Sequence, residues 1–511
     1  MNKKVMTLIK ILKNPLFSNK NPLALYFIII LLPVLTTTLL VYFCFHVSIT
    51  DFHVGWIDEV IYRQEILTFK DVGFNGGYFS SDEQIAKSSF SHFGNHGPIF
   101  ALIYGFISRV FGWSEYSVVI INTLLLCLSI TLFLYWTKPD RNRSILLLAI
   151  LGLYFPIILY QPSSMQESLN QAIGILIAGF LVMGVGNRRI SAIQKVSIIL
   201  VLIIASLMRI TWIVAAFPII YFMRRKKSLR WFCISILLCI AFSATMLLFY
   251  NFFVSPFTEG FLYIMLHQPT IIEMIKVLWA RILQNTSSLI RLKNENQELA
   301  TLFHYQYIVL IVTFFFVFKK DKASAITNLF LLIIPLMVNI AFYVIGYWGD
   351  YRTLSPFMLI AAISLVFIMD QSKLNKGVLA LFIISNVIFL PSLFKTFKTI
   401  HVDHFHSNPP NEFTAALAGV EYENEVSPWC NSLLTNHGSY EEFQNLAPGI
   451  GINYLLSTDS IDFQPRSHYL LVPQSFLEAN NLTECCPAIQ TMGDDVFCEI
   501  LDDGCHTDSV K

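Results

Sequence analysis

Apolar residues in this chain come in long unbroken runs, without the spacing of an amphipathic helix or the alternation of a half-buried strand. Ten such runs stand out, at 23–45, 116–136, 144–160, 168–186, 193–222, 231–253, 303–318, 324–347, 353–369 and 377–394. A helix crosses a bilayer with about 20 apolar residues, given some latitude, so these runs predict spanning helices. The first, Leu23 to Phe45, follows Lys3, Lys4, Lys10, Lys13 and Lys20 but carries no small-x-small cleavage site. It is also longer than the roughly 7–15 apolar residues of a secretory signal, so it is read as an uncleaved first span.

Basic residues then orient the spans, because Lys and Arg collect in cytoplasmic loops. The clusters are the N-terminus, Lys138/Arg141/Arg143, Arg188/Arg189/Lys195, Arg224 to Lys227 with Arg230, Lys319/Lys320/Lys322 and Lys373/Lys376. All fall on one side if two conditions hold. The short apolar stretch Pro98 to Phe111 must lie in the outer interface, with Arg109 towards water. The run 193–222 must be two short spans meeting outside at Met208-Arg209-Ile210-Thr211, since a single span would bury Arg209 at mid-membrane, a costly place for a charge. The expected fold is a polytopic α-helical membrane protein of about eleven spans, N-terminus inside and C-terminus outside, with a small C-terminal extracytoplasmic domain. Residues 1–394 form the membrane unit, with outer segments at 46–115 and 254–302, and 395–511 form the soluble tail.

Composition narrows the class. With 511 residues, 55% hydrophobic and only 14% charged, the chain has too few charges to coat a water-exposed surface, where about 25% is usual. A net charge of +1 gives no case for a nucleic-acid partner. Five of nine cysteines, Cys430, Cys485, Cys486, Cys498 and Cys505, lie in the tail, where an oxidising compartment permits disulfides. Adjacent cysteines bridge each other only with strain, so Cys485 or Cys486 is expected to bond to Cys430, Cys498 or Cys505. Their spacing lacks the paired C-x2-C elements of a zinc site, and no metal is expected.

Candidate chemistry sits at span ends. The first outer loop carries Trp56-Ile57-Asp58-Glu59-Val60-Ile61-Tyr62-Arg63. A carboxylate at the membrane surface can accept the proton of an attacking hydroxyl, and partial desolvation makes it a better base. Asp58 and Glu59 also suit the first turn of any helix, and both readings stay open. Asn95-His96-Gly97-Pro98 opens the interfacial stretch, where free N–H groups and a histidine can hold a phosphate, or where Pro98 simply starts a helix. Arg209 at the hairpin tip and Arg352 in Gly349-Asp350-Tyr351-Arg352 are fixed cations at the lipid–water boundary. Either suits a lipid-borne phosphate; a snorkelling arginine, or an Arg352–Asp350 ion pair, explains them equally. Thr270 to Leu292 reads as a further interfacial helix.

Taken together, the acidic pair Asp58-Glu59 followed by Tyr62, the His/Gly/Pro-initiated stretch ending at Phe111-Gly112, the Arg209-Ile-Thr211 hairpin and the Tyr351-Arg352 span start resemble the GT-C glycosyltransferases. That superfamily includes protein O-mannosyltransferases and the aminoarabinose transferases of lipid A. The resemblance covers roughly residues 23–370. It implies that Asp58 or Glu59 is the catalytic base, and that Arg209, Arg352 and His96 contact the donor phosphate. An outward tail with Cys485-Cys486, as an acceptor-binding or structural element, is similar to the serotype-converting O-antigen glucosyltransferases carried by phages of enteric bacteria. That narrower likeness implies transfer of glucose from undecaprenyl-phosphate-glucose to O-antigen in a bacterial inner membrane. The partners it implies are a polyprenyl-phosphate sugar, a glycan acceptor and membrane lipids, with no cofactor beyond the lipid-linked donor.

Other readings are a transferase of another sugar to lipid A or protein, a polysaccharide polymerase or ligase, and a lipid-linked-sugar flippase. A flippase would want charges along a path and repeated broken helices, and no repeat is visible. Asn285-Thr-Ser and Asn481-Leu-Thr are sequons that would suit a eukaryotic enzyme, while the compact loops suit a bacterial membrane. The orientation is directly testable: a cysteine placed by Lys226→Cys should stay unlabelled when a membrane-impermeant thiol reagent is added outside intact cells. Labelling there would overturn the assignment.

Overall fold

The computed structural model describes residues 22–500, apart from 53, 78–79, 85, 88–93, 95–96, 187–189, 226, 257–260, 291–297, 321–324, 342–350, 369–372, 404–411, 425–426, 437–442, 444–445 and 456–464. The chain is a polytopic helical membrane protein with a small strand-containing C-terminal unit. Among the described residues, five helices are long and apolar enough to cross a bilayer: Leu23–Phe45, Ser117–Thr137, Glu167–Val185, Leu229–Phe253 and Leu379–Phe397. The shorter apolar helices include Ile99–Phe111, Ala192–Met208, Ile210–Phe222, His304–Phe315 and Arg352–Ile368. Glu167–Val185 is the central element, with 89% of its apolar window buried, whereas Leu229–Phe253 has 11% and turns most of its surface outward.

Several expected runs are interrupted where the sequence supplies a reason. The run 144–160 breaks at Tyr154, whose extended backbone precedes Pro156 and whose hydroxyl donates to the Ser355 carbonyl at 2.8 Å. Proline lacks an N–H and restricts the residue before it, which favours a break one turn ahead. The run 193–222 breaks at Arg209, which is extended (φ −149°, ψ 116°) between helix Ala192–Met208 and a 3-10 turn, Ile210–Ala215. The expected interfacial helix is Ile99–Phe111. Both of its ends stay beside the same end of the bundle. Gly97 (φ +79°) approaches the Leu207 and Met208 carbonyls so closely that a Cβ would clash, and Glu115 pairs with Arg63 at 2.7 Å. The stretch expected at 270–292 contains helix Ile271–Ile290, whose Ile271, Ile272, Ile275 and Trp279 are exposed.

The tail is built on a six-stranded sheet of β1 (Ser80–Ser81), β2 (Ser432–Thr435), β3 (Gly451–Tyr454), β4 (Tyr469–Pro473), β5 (Ala488–Met492) and β6 (Asp495–Glu499). The order is β1-β3-β2-β4-β6-β5, with the first four parallel and β6 antiparallel to both β4 and β5. Side chains alternate across a strand, so Leu433, Ile452 and Leu471 pack on one face while Leu434, Leu470 and Val472 pack on the other. Strand β1 comes from the segment between helices Leu23–Phe45 and Ile99–Phe111, so the sheet is shared between that segment and the unit expected at 395–511. The boundary expected at 394/395 also falls inside helix Leu390–Phe397.

One disulfide joins Cys486 to Cys498 on the sheet face away from the bundle. Cys485 is a half-buried thiol and Cys430 a buried one, while Cys505 lies outside the described residues. Non-reduced peptide mapping should therefore recover a linked Cys486–Cys498 peptide with Cys485 alkylated. Cys486→Ser should lower tail stability by roughly 2–4 kcal/mol, the usual worth of a loop closure of this size; a linked Cys485 would contradict the arrangement.

Candidate active site

The site forms where four sequence-distant connections meet at one end of the bundle. Glu167 opens the central helix and has no solvent exposure. Its Oε1 accepts from Arg209 Nη2 at 2.8 Å and from Arg352 Nε at 3.2 Å. Arg352 then turns its Nη2 to Asp58 Oδ2, 2.6 Å away. Two cations and two anions thus alternate as Arg209, Glu167, Arg352, Asp58. The guanidinium fork is what allows Arg352 to hold two carboxylates at once, which a lysine ammonium would do less rigidly. Side-chain exposure is 18% at Arg209, 0% at Glu167, 33% at Arg352 and 22% at Asp58, so Arg352 and Asp58 are the more accessible members of the row.

Glu59, the neighbour of Asp58 in sequence, lies in a different environment. As the third residue of helix Ile57–Asp71 its Oε2 reaches back to accept from Trp56 N at 3.0 Å and Gly55 N at 2.9 Å, half of a capping box. Trp56 has no side-chain acceptor to supply the other half. Oε1 accepts from Ser164 N at 2.9 Å. Asn122 holds the Ser164 segment in place by donating to the Gln161 and Ser163 carbonyls at 3.1 and 2.9 Å, while Tyr104 donates to Asn122 at 2.6 Å. Buried His401 brings Nδ1 within 3.8 Å of Glu59 and packs its ring on Phe52 and Trp56. Burial pushes the Glu59 carboxyl up to about 7, against the opposing pull of its three backbone N–H donors.

The structure thus separates the two adjacent carboxylates that sequence left together. Asp58 faces the cations, and Glu59 ties helix Ile57–Asp71 to the turn before the central helix. Arg209 and Arg352 come together at one end of the bundle, both on Glu167. Arg352 pairs with Asp58 and Glu167, while Asp350 and His96 lie outside the described residues. Cys485 and Cys486 sit in the tail's far layer. Sequence reading missed Glu167, Ser164, Asn170 and His401. The signal for the first three was the polar segment Gln161 to Gln171 ahead of an apolar run. Most of that segment is buried, and Asn170 accepts from the Trp212 indole at 2.6 Å, fixing the 3-10 turn that follows Arg209. Nothing in sequence marked His401. Among the described residues no three His, Cys, Asp or Glu side chains gather as a metal-ligand set.

Fold and site together define a multi-pass membrane protein with an ionised polar centre at one end of its bundle. No family model and no curated protein matches the sequence. Among solved structures, the chain is similar to the archaeal oligosaccharyltransferase AglB of Archaeoglobus fulgidus, in complex with an inhibitory peptide and a dolichol-phosphate. That likeness has a TM-score of 0.49 at 12% identity over 88% of this chain and 69% of the other. It is also similar to ArnT from Cupriavidus metallidurans bound to undecaprenyl phosphate, with a TM-score of 0.42 at 9% identity over 91% and 97% of the two chains.

A titration follows from Glu59. Its folded pKa of about 7 exceeds the ordinary 4.5, so the folded state binds the proton more tightly than the unfolded state. The stability this contributes is present below about pH 4.5 and lost as pH rises through about 7. Thermal melts in detergent should show a decline across that window which Glu59→Gln flattens; a wild-type curve as flat as the variant's would contradict a protonated Glu59 in the folded state.

Proposed function

We propose that the protein is a membrane glycosyltransferase that moves a sugar from a polyprenyl-phosphate carrier to a hydroxyl acceptor. The observation that carries this reading is the alternating row Arg209–Glu167–Arg352–Asp58 at the bundle end. Transfer from a phosphate-linked sugar needs a proton acceptor for the attacking hydroxyl and fixed positive charge for the departing phosphate. Asp58 is the base: it is the partly exposed carboxylate, whereas Glu59 is spent on three backbone N–H groups. The acceptor oxygen attacks the anomeric carbon, the carbon–oxygen bond to phosphate breaks, the hydroxyl proton passes to Asp58, and the electron pair leaves on the polyprenyl phosphate. Arg352 and Arg209 receive that charge, and Glu167 holds both guanidiniums where it develops. His96 is retained as a donor-phosphate contact from the sequence motif alone.

In its narrower form the reading assigns glucose as the sugar, undecaprenyl phosphate as the carrier and O-antigen of lipopolysaccharide as the acceptor. It sets the enzyme in a bacterial inner membrane, N-terminus cytoplasmic, with the lipid-linked sugar as co-substrate. This rests on the resemblance of the acidic first loop and the Cys485-Cys486 tail. The test is transfer in liposomes carrying undecaprenyl-phosphate-glucose and an O-antigen acceptor. Asp58→Asn should lower the rate by about 10²–10⁴, the usual cost of losing a general base. Glu59→Gln should lose far less, because its carboxylate holds a helix end and touches no substrate. Arg352→Lys should also cut the rate sharply, since a single ammonium cannot reproduce the fork. Near-normal transfer by Asp58→Asn would sink the assignment, and carrier flipping without transfer by the wild type would replace it with a flippase.

A further inference from the structure

Helix Ile57–Asp71 carries Asp58 at its start, yet most of what fixes its far side belongs to the tail. Its residues Tyr62 and Ile66 pack into the bundle core, while Val60 and Ile61 pack with Leu433, Ile452 and Leu471 of the tail sheet. Polar contacts follow the same face. The Gln64 amide donates to the Ala447 carbonyl at 2.6 Å and the Ile450 carbonyl at 3.3 Å, and Gly449 N donates to Thr68 Oγ1 at 3.0 Å. The loop after the helix is then sewn into the sheet. Gly77 N donates to the Gly449 carbonyl at 2.6 Å, and any Cβ on Gly77 would collide with Gly451 N and the Asn431 carbonyl. Strand β1 pairs with β3.

A buried acid closes the stitch. Glu83 accepts from Arg466 N at 2.7 Å and Ser467 N at 2.9 Å, and its own N–H donates to Asn453 Oδ1 at 3.0 Å. Asp82 and Glu83 both hold left-handed backbone (φ 49° and 54°), which L side chains keep only where the surroundings dictate it. The contacts made by Gln64, Thr68, Gly77 and Glu83 are with the tail and not with Asp58, so their effect on the site passes through the helix.

We infer that the tail is a buttress for helix Ile57–Asp71, and that Gln64, Thr68 and Glu83 are positioning residues that set Asp58 against Arg352. The inference rests on the reading of Asp58 as the base. A carboxylate on the first turn of a helix is placed by the helix axis, and a far-side shift of about 1 Å is enough to cost a hundredfold in rate. The tail thereby acts on the chemistry through the helix it holds.

The test uses the full chain in nanodiscs, with Gln64→Ala, Glu83→Gln and the exposed tail variant Glu484→Gln as control. Hydrogen exchange of the amides in Ile57–Asp71 should quicken on the order of tenfold in the first two, as expected for one or two lost buried hydrogen bonds. The central helix Glu167–Val185 should keep its protection in all three. In the transfer assay kcat should fall roughly ten- to a hundredfold, with the KM for the lipid donor unchanged within about twofold. Unchanged exchange in both variants would overturn the buttress, as would equal loosening of Glu167–Val185, or quickened exchange with an undiminished kcat. A wild type that transfers no sugar would refute the proposed activity, while the exchange measurements would still decide whether the tail holds the helix.

Discussion

Glu167 opens the most enclosed helix of the bundle, with no solvent exposure and two guanidiniums on one of its oxygens. Taking a carboxylate out of water costs several kcal/mol, recovered only if cations meet it in good geometry. Arg209 comes from the broken run after Met208, and Arg352 from the first turn of helix Tyr351–Ile368. The bundle therefore closes only when these three helix ends arrive together. Asp58 balances the charge that two arginines against one glutamate would leave. Removing either cation would leave two carboxylates against one guanidinium, so the row is as much a constraint on assembly as a chemical site.

Helix Ile57–Asp71 is the second shared element. Its two faces belong to two cores, one in the bundle and one in the tail sheet, and its N-terminus is held by its own Glu59 and by the turn before the central helix. His401, just past helix Leu390–Phe397, packs on Phe52 and Trp56 beside that N-terminus. The first outer loop, the central helix and the start of the tail are thus tied at one point, which is why the tail cannot be treated as an appended module.

Much of the architecture was legible in the sequence because membrane insertion is decided locally. Run length sets whether a helix can span, and a charge within a run marks where it must break, as at Arg209. The proline after Tyr154 and the glycine before Pro98 act through backbone sterics over one or two residues. Five of the nine cysteines fall in the polar tail, which predicted a disulfide there, and Cys486–Cys498 is one. Asp58, Arg209 and Arg352 were visible as charges beside apolar runs, and all three meet in one row at an end of the bundle.

Pairing was decided only by the tertiary structure. Sequence could not separate Asp58 from Glu59, because adjacent helix residues point about 100° apart and only packing shows which face meets Arg352. It could not assign Cys486 to Cys498 among the open partners, nor send Ser80–Ser81 to a sheet built from residues beyond 430. Glu167 read as one more polar residue ahead of a span until two distant arginines were set upon it. Helix propensity and the length of an apolar run are properties of a segment and its solvent, so the chain alone determined them. The partner of a buried charge depends on which surfaces lose water together, and that exists only once the chain has folded.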